Sequence, residues 1–252
     1  MVGALLLRGM LTGLFAGLLV FGFARVFGEP EIERAIAFEQ QMAQGTSEAQ
    51  EPALVSRETQ AGVGLASGVL VYSASIGGLF ALIFAFVNGR IGSLGPRGTS
   101  ALLAISAFVA ISIAPFLKYP ANPPSVGDPD TIGVRTGLYF VMVIVSVAAL
   151  AGAVAAARQL APRLGVWNAA ILAGVAFIGA IAVASYALPE INEIPAQFSA
   201  PLLWRFRIAS LGLHALLWAT IGLVFGWLME RGSAQIAVAA SAVAALRTRE
   251  FG

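Results

Sequence analysis

Cysteine is absent from this chain, which excludes disulfides, thiolate metal centres and cysteine nucleophiles. Lysine occurs once, at Lys118, so a phosphate-binding GxxxxGK loop cannot be assembled. Histidine also occurs once, at His214, and a single imidazole cannot by itself build a metal centre. Charge is scarce: 11% of the residues are charged, against roughly 25% in an ordinary soluble domain. The basic residues are scattered and the net charge is only +2, so the clustered footprint of a nucleic-acid-binding face is missing. There is no HExxH, no GxSxG and no aspartate inside a hydrophobic run, and the chain does not read as an enzyme.

Apolar side chains are what the sequence has in excess, at 58% of the chain. A globule in water needs a charged exterior that this composition cannot supply, whereas lipid as the solvent removes the need. Six stretches approach the 20 or so apolar residues that a bilayer-spanning helix requires: Leu5–Phe27, Gly62–Val87, Thr99–Leu117, Thr136–Ala157, Val166–Leu188 and Arg207–Leu228. None shows the alternation of a barrel strand, so the fold class is all-α, a polytopic transmembrane bundle of about six spans over residues 1–252. The third span is the shortest, and Pro115 near its end should kink or end it. The first is read as a span and not a cleaved signal peptide, because Ala24-Arg25-Val26-Phe27 is a poor small-residue cleavage site.

Six spans put both termini on one side, together with Arg8, Arg90, Arg97, Arg158, Arg163, Arg231, Arg247 and Arg249, against Arg25, Arg34, Arg57, Lys118, Arg135, Arg205 and Arg207 on the other. The basic residues divide almost evenly, with a slight lean toward cytoplasmic termini and a cytoplasmic tail over 230–252. The acidic residues do not divide evenly. Glu29, Glu31, Glu33, Glu39, Glu48, Glu51, Glu58, Asp128, Asp130, Glu190 and Glu193 fall opposite the termini, seven of them in an acidic outer loop over 28–61. Within that loop, Ile32, Ala35, Ile36, Phe38 and Met42 suggest a short helix lying against the membrane, opened by Pro30, with a polar link from Gln44 to Gln60. A second, proline-rich outer loop covers Lys118–Gly133, and a third covers Pro189–Arg205. The apolar tail Ala234–Leu246 is too short to cross and reads as a helical extension or a frayed end.

Three sets of residues are candidates for function. Gly9, Gly13 and Gly17 on the first span, and Gly222 and Gly226 on the last, have the spacing that lets helix backbones approach closely, either within the bundle or with a partner helix. His214 lies at membrane depth, where an ionisable group tends to face a cavity or a partner, and neutral imidazole suits borderline divalent cations. Its ordinary alternative is a hydrogen bond to a neighbouring helix. The carboxylates Glu29, Glu33, Asp128, Asp130, Glu190 and Glu193 are candidate oxygen ligands that would draw cations to the mouth. Individually they have plainer roles: Asp128 before Pro129 suits a helix N-cap, and Glu190 or Glu193 can pair with Arg205 or Arg207.

Longer motifs add a likeness. Arg8-Gly9-Met10-Leu11, Phe27-Gly28-Glu29-Pro30, Arg34-Ala35-Ile36-Ala37-Phe38-Glu39, Pro115-Phe116-Leu117-Lys118-Tyr119-Pro120-Ala121-Asn122-Pro123-Pro124, Leu188-Pro189-Glu190-Ile191-Asn192-Glu193 and Trp204-Arg205-Phe206-Arg207-Ile208-Ala209-Ser210 are spread over nearly the whole chain. Together they resemble the CbtA family of predicted cobalt transporter subunits. The resemblance implies about five spans, Co2+ as the transported ion with no tightly bound cofactor, and a place in the inner (cytoplasmic) membrane of a bacterium. It also implies a CbtB-type partner, a small single-span protein with a histidine-rich terminus that would supply the nitrogen ligands lacking here. It assigns no metal ligands. The reading is a permease subunit in which His214, Tyr72, Ser73 and Ser75 line part of a route. The alternative is a non-transporting accessory subunit packed into a homo-oligomer or larger membrane assembly.

Overall fold

In the computed structural model, residues 2–46, 55–90, 94–124 and 126–250 are described, without the side chains of 43–46 and 233–250. Glu48, Glu51 and most of the polar link expected after Gln44 lie outside the described residues. The elements in chain order are α1 (Val2–Phe23), α2 (Glu29–Thr46), a single turn α3 (Arg57–Thr59), α4 (Leu65–Val87), α5 (Pro96–Ala107), α6 (Ala114–Lys118), α7 (Ile132–Leu164), α8 (Val166–Ala187) and α9 (Ala200–Glu250). No strand occurs among the described residues. π turns join α1 to α2 (Ala24–Gly28), α3 to α4 (Gln60–Gly64) and α5 to α6 (Phe108–Ile113). The result is six continuous helical stretches long and apolar enough to cross a membrane: Val2–Met42, Arg57–Val87, Pro96–Lys118, Pro129–Leu164, Val166–Ala187 and Ala200–Gly232. That agrees with the six spans read from composition and not with five.

Two of the three π turns are answers to a proline. A proline in a helix lacks the N–H that the carbonyl four residues back would accept, and its ring crowds that carbonyl. Widening the helix by one residue is a common relief. Pro30 stands just after the turn Ala24–Gly28, and Pro115 just after Phe108–Ile113. Both helices therefore run through. Pro30 does not start a separate helix, and the third span ends at Lys118, three residues beyond Pro115. Part of the apolar side of α2 is covered by the chain itself, while Met42 stays exposed. Ala35 and Phe38 pack on Val126, Phe198 and Leu203, with the Phe38 and Phe198 rings edge to face at 5.1 Å. Val126 and Phe198 from the loops, with Leu203 from α9, offer α2 a dry surface that the sequence pattern alone could not reveal.

The chain divides into two compact units: residues 1–22, 58–105 and 216–252 form the first, and 23–57 and 106–215 the second. The first unit is built on close backbone contacts. A Cβ at Gly13 would strike the Ser73 carbonyl, one at Gly9 the Gly77 carbonyl, and one at Gly77 the Gly9 carbonyl. At Gly17 it would lie 3.0 Å from Ser73 Cβ. The glycine stripe of α1 is thus spent inside the chain, against α4. The second stripe behaves alike: Gly226 lies against Ser100 and Arg97, Gly222 against Ala104, and Ser100 Oγ donates to the Gly222 carbonyl at 2.7 Å. Phe80, Phe84 and Phe225 fill the remaining space, with ring centroids 5.1 to 5.6 Å apart.

In the second unit, Ala114, Met142 and Ile181 join α6, α7 and α8. The opposite faces of α7 and α8 expose Phe140, Ile144, Val175, Ile178 and Val183. A soluble monomer does not carry so large an apolar face, whereas a helix bathed in lipid tails does.

Candidate functional site

Within the second unit, a cavity of about 370 Å³ is enclosed by α6, the start of α7, the α9 helix and the two loops 119–131 and 188–199. Its polar lining is Ser112, Asn122, Arg135, Thr136, Tyr139, Arg207, Ser210 and His214, completed by Tyr119. The α9 contribution follows from spacing: Arg207, Ser210 and His214 are three and then four residues apart, and so share one face of the helix.

The opposing wall is built by the proline. Counted in α register, Pro115 leaves the carbonyl of Ile111 without a donor; counted in π register, it leaves that of Ala110. An unpaired carbonyl at membrane depth is costly, and α7 supplies a hydroxyl to each. The Tyr139 hydroxyl lies 3.5 Å from the Ile111 carbonyl, and Ser146 Oγ donates to Ala110 and also to Val143 at 3.0 Å. The same pairing holds Tyr139 beside Ser112 on the cavity surface.

The two arginines are held differently. Arg135 leaves the first turn of α7 and reaches over loop 119–131, where Nη2 donates to the Asp128 carbonyl at 3.0 Å and Nη1 to that of Val126 at 3.4 Å. Its Nε lies 3.5 Å from Glu193 Oε2, an ionic contact without hydrogen-bond alignment. Arg207 donates from Nε to the Ala121 carbonyl at 3.3 Å and from Nη2 to Asn122 Oδ1 at 2.8 Å. Prolines 120, 123 and 124 cannot donate from their own nitrogens, so this loop depends on side-chain donors for its carbonyls. Tyr119 ties it to the other loop through its hydroxyl, which donates to the Pro189 carbonyl at 2.8 Å. Desolvation pushes that phenol above its ordinary range.

The sequence candidates are dispersed. His214 lines the cavity. Glu29 is buried and ion-paired with Arg57. Asp128 caps the short turn Pro129–Thr131, accepting from the Asp130 N–H at 2.9 Å, in line with its place before Pro129. Glu193 accepts from the Asp128 N–H at 2.8 Å and from the Thr131 hydroxyl at 2.9 Å. Its cationic partner is Arg135, and not Arg205 or Arg207 as proximity in sequence suggested; Arg207 is taken up by loop 119–131. Glu33, Asp130 and Glu190 are exposed. No group of three or more His, Cys, Asp or Glu side chains comes together as a metal centre among the described residues. Tyr72, Ser73 and Ser75 belong to the first unit and do not line the cavity: Ser73 is buried against α1, and Ser75 Oγ donates back to the Val71 carbonyl at 2.8 Å. Arg135, Arg207, Tyr139 and Asn122 were missed as cavity residues. The proline-rich loop, short of donors, was the available signal for Arg207.

Gly127 is the hinge of this arrangement. Its φ of 112° is one that side-chain-bearing residues rarely adopt, and a Cβ there would run into the Arg135 guanidinium. Gly127→Ala should lower stability by about 1–3 kcal/mol, read by thermal unfolding in detergent. In an Arg135→Ala background the steric part should vanish and the backbone part remain. An unchanged melting temperature would show that the loop does not hold this geometry.

The fold and cavity define a class, a polytopic α-helical membrane protein with a polar pocket between its helices. Within that class the chain belongs to the CbtA family: the family model described as "Probable cobalt transporter subunit (CbtA)" matches residues 2–230. No curated protein and no solved structure matches it.

Proposed function

We propose that this chain is the permease subunit of an uptake system for a divalent transition-metal cation, with Co2+ as its cargo. The observation that supports the reading is the lone histidine: His214, on a helix long and apolar enough to cross a membrane, lines a cavity together with hydroxyl, amide and guanidinium groups. Family membership points the same way, to a transport role and not to catalysis. One imidazole with hydroxyl and amide oxygens makes an incomplete ligand set, which suits a subunit whose partner brings further nitrogen donors. A small single-span protein of the CbtB type, with its histidine-rich terminus, fits that need. The setting is the inner membrane of a bacterium with both termini cytoplasmic, so that loops 119–131 and 188–199 open the cavity outward. Of the carboxylates, Glu33, Asp130 and Glu190 are exposed and meet cations at that surface; Glu29, Asp128 and Glu193 already have structural partners.

Uptake of radiolabelled cobalt by cells producing the chain with its partner tests the reading. Accumulation should exceed that of cells with an empty vector, and His214→Ala should cut it by at least about tenfold, the lower end of what a lost outer-shell group costs a metal site. Uptake no higher than in the empty-vector cells would reject the permease. A second reading is favoured by the absence of a gathered metal centre among the described residues: an accessory subunit that does not itself conduct. A stable assembly with other membrane proteins, together with unaltered uptake in His214→Ala, would support it.

A further inference from the structure

The charge on the cavity wall is the wrong sign for a bare dication. Two guanidinium groups and one imidazole line it, and no carboxylate does. Arg135 has a counter-charge in Glu193. Arg207 has only neutral acceptors, the Ala121 carbonyl and Asn122 Oδ1, and no carboxylate partner among the described residues. Arginine keeps its proton in proteins, so the cavity holds a half-buried positive charge without compensation. A Co2+ ion entering alone would be repelled by it in a medium that screens far less than water does. An oxygen anion would find the opposite: a guanidinium, the Ser210 hydroxyl one turn along the same face of α9, and the Thr136 hydroxyl on α7. The space of about 370 Å³ admits a hydrated ion or a small chelate equally, so charge and not size discriminates. Glu33, Asp130 and Glu190 are solvated, and salt screens them within about 8 Å.

We propose that the cavity takes the metal as a net-anionic complex with a small oxygen-donor chelator of the hydroxycarboxylate type, with a carboxylate of the complex on Arg207 and the metal turned toward His214. This rests on the permease reading, and adds to it the form in which the cargo arrives. The two ends of the α9 stripe then divide the work. Arg207 recognises the chelator, and His214, two turns further on, offers nitrogen to a coordination position the chelator leaves open.

Equilibrium binding to the purified chain, in discs of uncharged lipid, tests this with radiolabelled cobalt as the chloride alone, radiolabelled cobalt with excess citrate, and radiolabelled citrate without metal. The citrate complex should bind at least about tenfold more tightly than cobalt chloride, and Arg207→Gln should remove that advantage while Arg207→Lys keeps part of it. If the bare ion is the cargo, the signs reverse: cobalt chloride binds as well or better, and Arg207→Gln strengthens it by removing repulsion. That result would overturn the proposal, as would equal binding of citrate without metal, or loss of the citrate complex only when anionic phospholipid is added. The comparison of the two cobalt forms uses the unaltered protein, so a misfolded Arg207→Gln variant does not blunt it. Uptake by cells is read separately: binding of the complex without any flux would sink the permease and leave the recognition intact.

Discussion

Gly13→Ala is expected to destabilise the protein by about 3 kcal/mol, although it adds one methyl group to a helix that ordinarily welcomes alanine. The reason is what the methyl meets. At Gly13 it would run into the Ser73 carbonyl and come within 3.0 Å of Ala74 Cα, both of them backbone, so no side-chain rotation can make room. The contact is reciprocal, since a Cβ at Gly77 would lie 2.8 Å from Gly13 Cα. Lipid gives two apolar helices no reason to associate through hydrophobicity alone, so the energy of this interface comes from the close approach itself. Forcing α1 and α4 apart forfeits all of it. The matched controls are Gly68→Ala and Gly174→Ala, whose added Cβ atoms have nothing within 4 Å. There the gain in helix propensity should stabilise by about 0.5–1 kcal/mol. Unfolding in mild detergent should therefore shift in opposite directions for position 13 and for the two controls. Equal shifts at all three would mean that α1 and α4 do not touch through these glycines.

Much of this fold was legible because lipid makes simple demands. Hydrocarbon accepts long apolar helices, and their number and approximate extent follow from composition alone. The glycines of α1 and α9 were legible for the same reason, although spacing could not say whether the chain or a partner would fill the groove; Ser73, Gly77, Ser100 and Ala104 of the chain do. The prolines were harder. Pro115 does stand near the end of its span, which stops at Lys118, and Pro30 does fall in the first turn of α2, but a π turn just before each proline keeps the helix continuous with the one preceding it. That choice depends on neighbours able to serve the freed carbonyls. Tyr139 and Ser146 lie on α7, well removed in sequence from Pro115, and no local pattern announces them.

The site was legible only in part. His214 stood out because an ionisable group in an apolar helix is costly, and it does face the cavity. The carboxylates were read as a set because they share a side of the membrane, yet shared sidedness carries no information on mutual distance. Asp128 and Glu193 do meet, but around a helix cap and an arginine. The positive lining was hidden for a related reason: Arg207 was read as a partner for Glu190 or Glu193, whereas loop 119–131 takes it up through neutral acceptors.

Arg57→Ala should be among the most damaging single changes, lowering stability by about 3–5 kcal/mol. Arg57 begins the helical stretch that leads into α4 and forms an ion pair with Glu29 at the start of α2, linking two segments 28 residues apart. The Glu29 residue is only 5% exposed. Truncating the arginine leaves a carboxylate out of water with its counter-charge gone, and that orphan, more than the lost attraction, sets the magnitude. Neutralising the orphan should therefore help. The double variant Arg57→Ala/Glu29→Gln should recover at least half of the loss, even though it contains one more substitution. This pair of measurements also weighs Glu29 as a metal ligand, one of the roles its acidic surroundings suggested. A carboxylate released from its arginine would be freer to hold a cation, so added cobalt should rescue Arg57→Ala if Glu29 takes metal, and should leave it unstable if the residue serves only as the partner of Arg57. The ion pair favours the second outcome, because two charges removed from water together satisfy each other without a third.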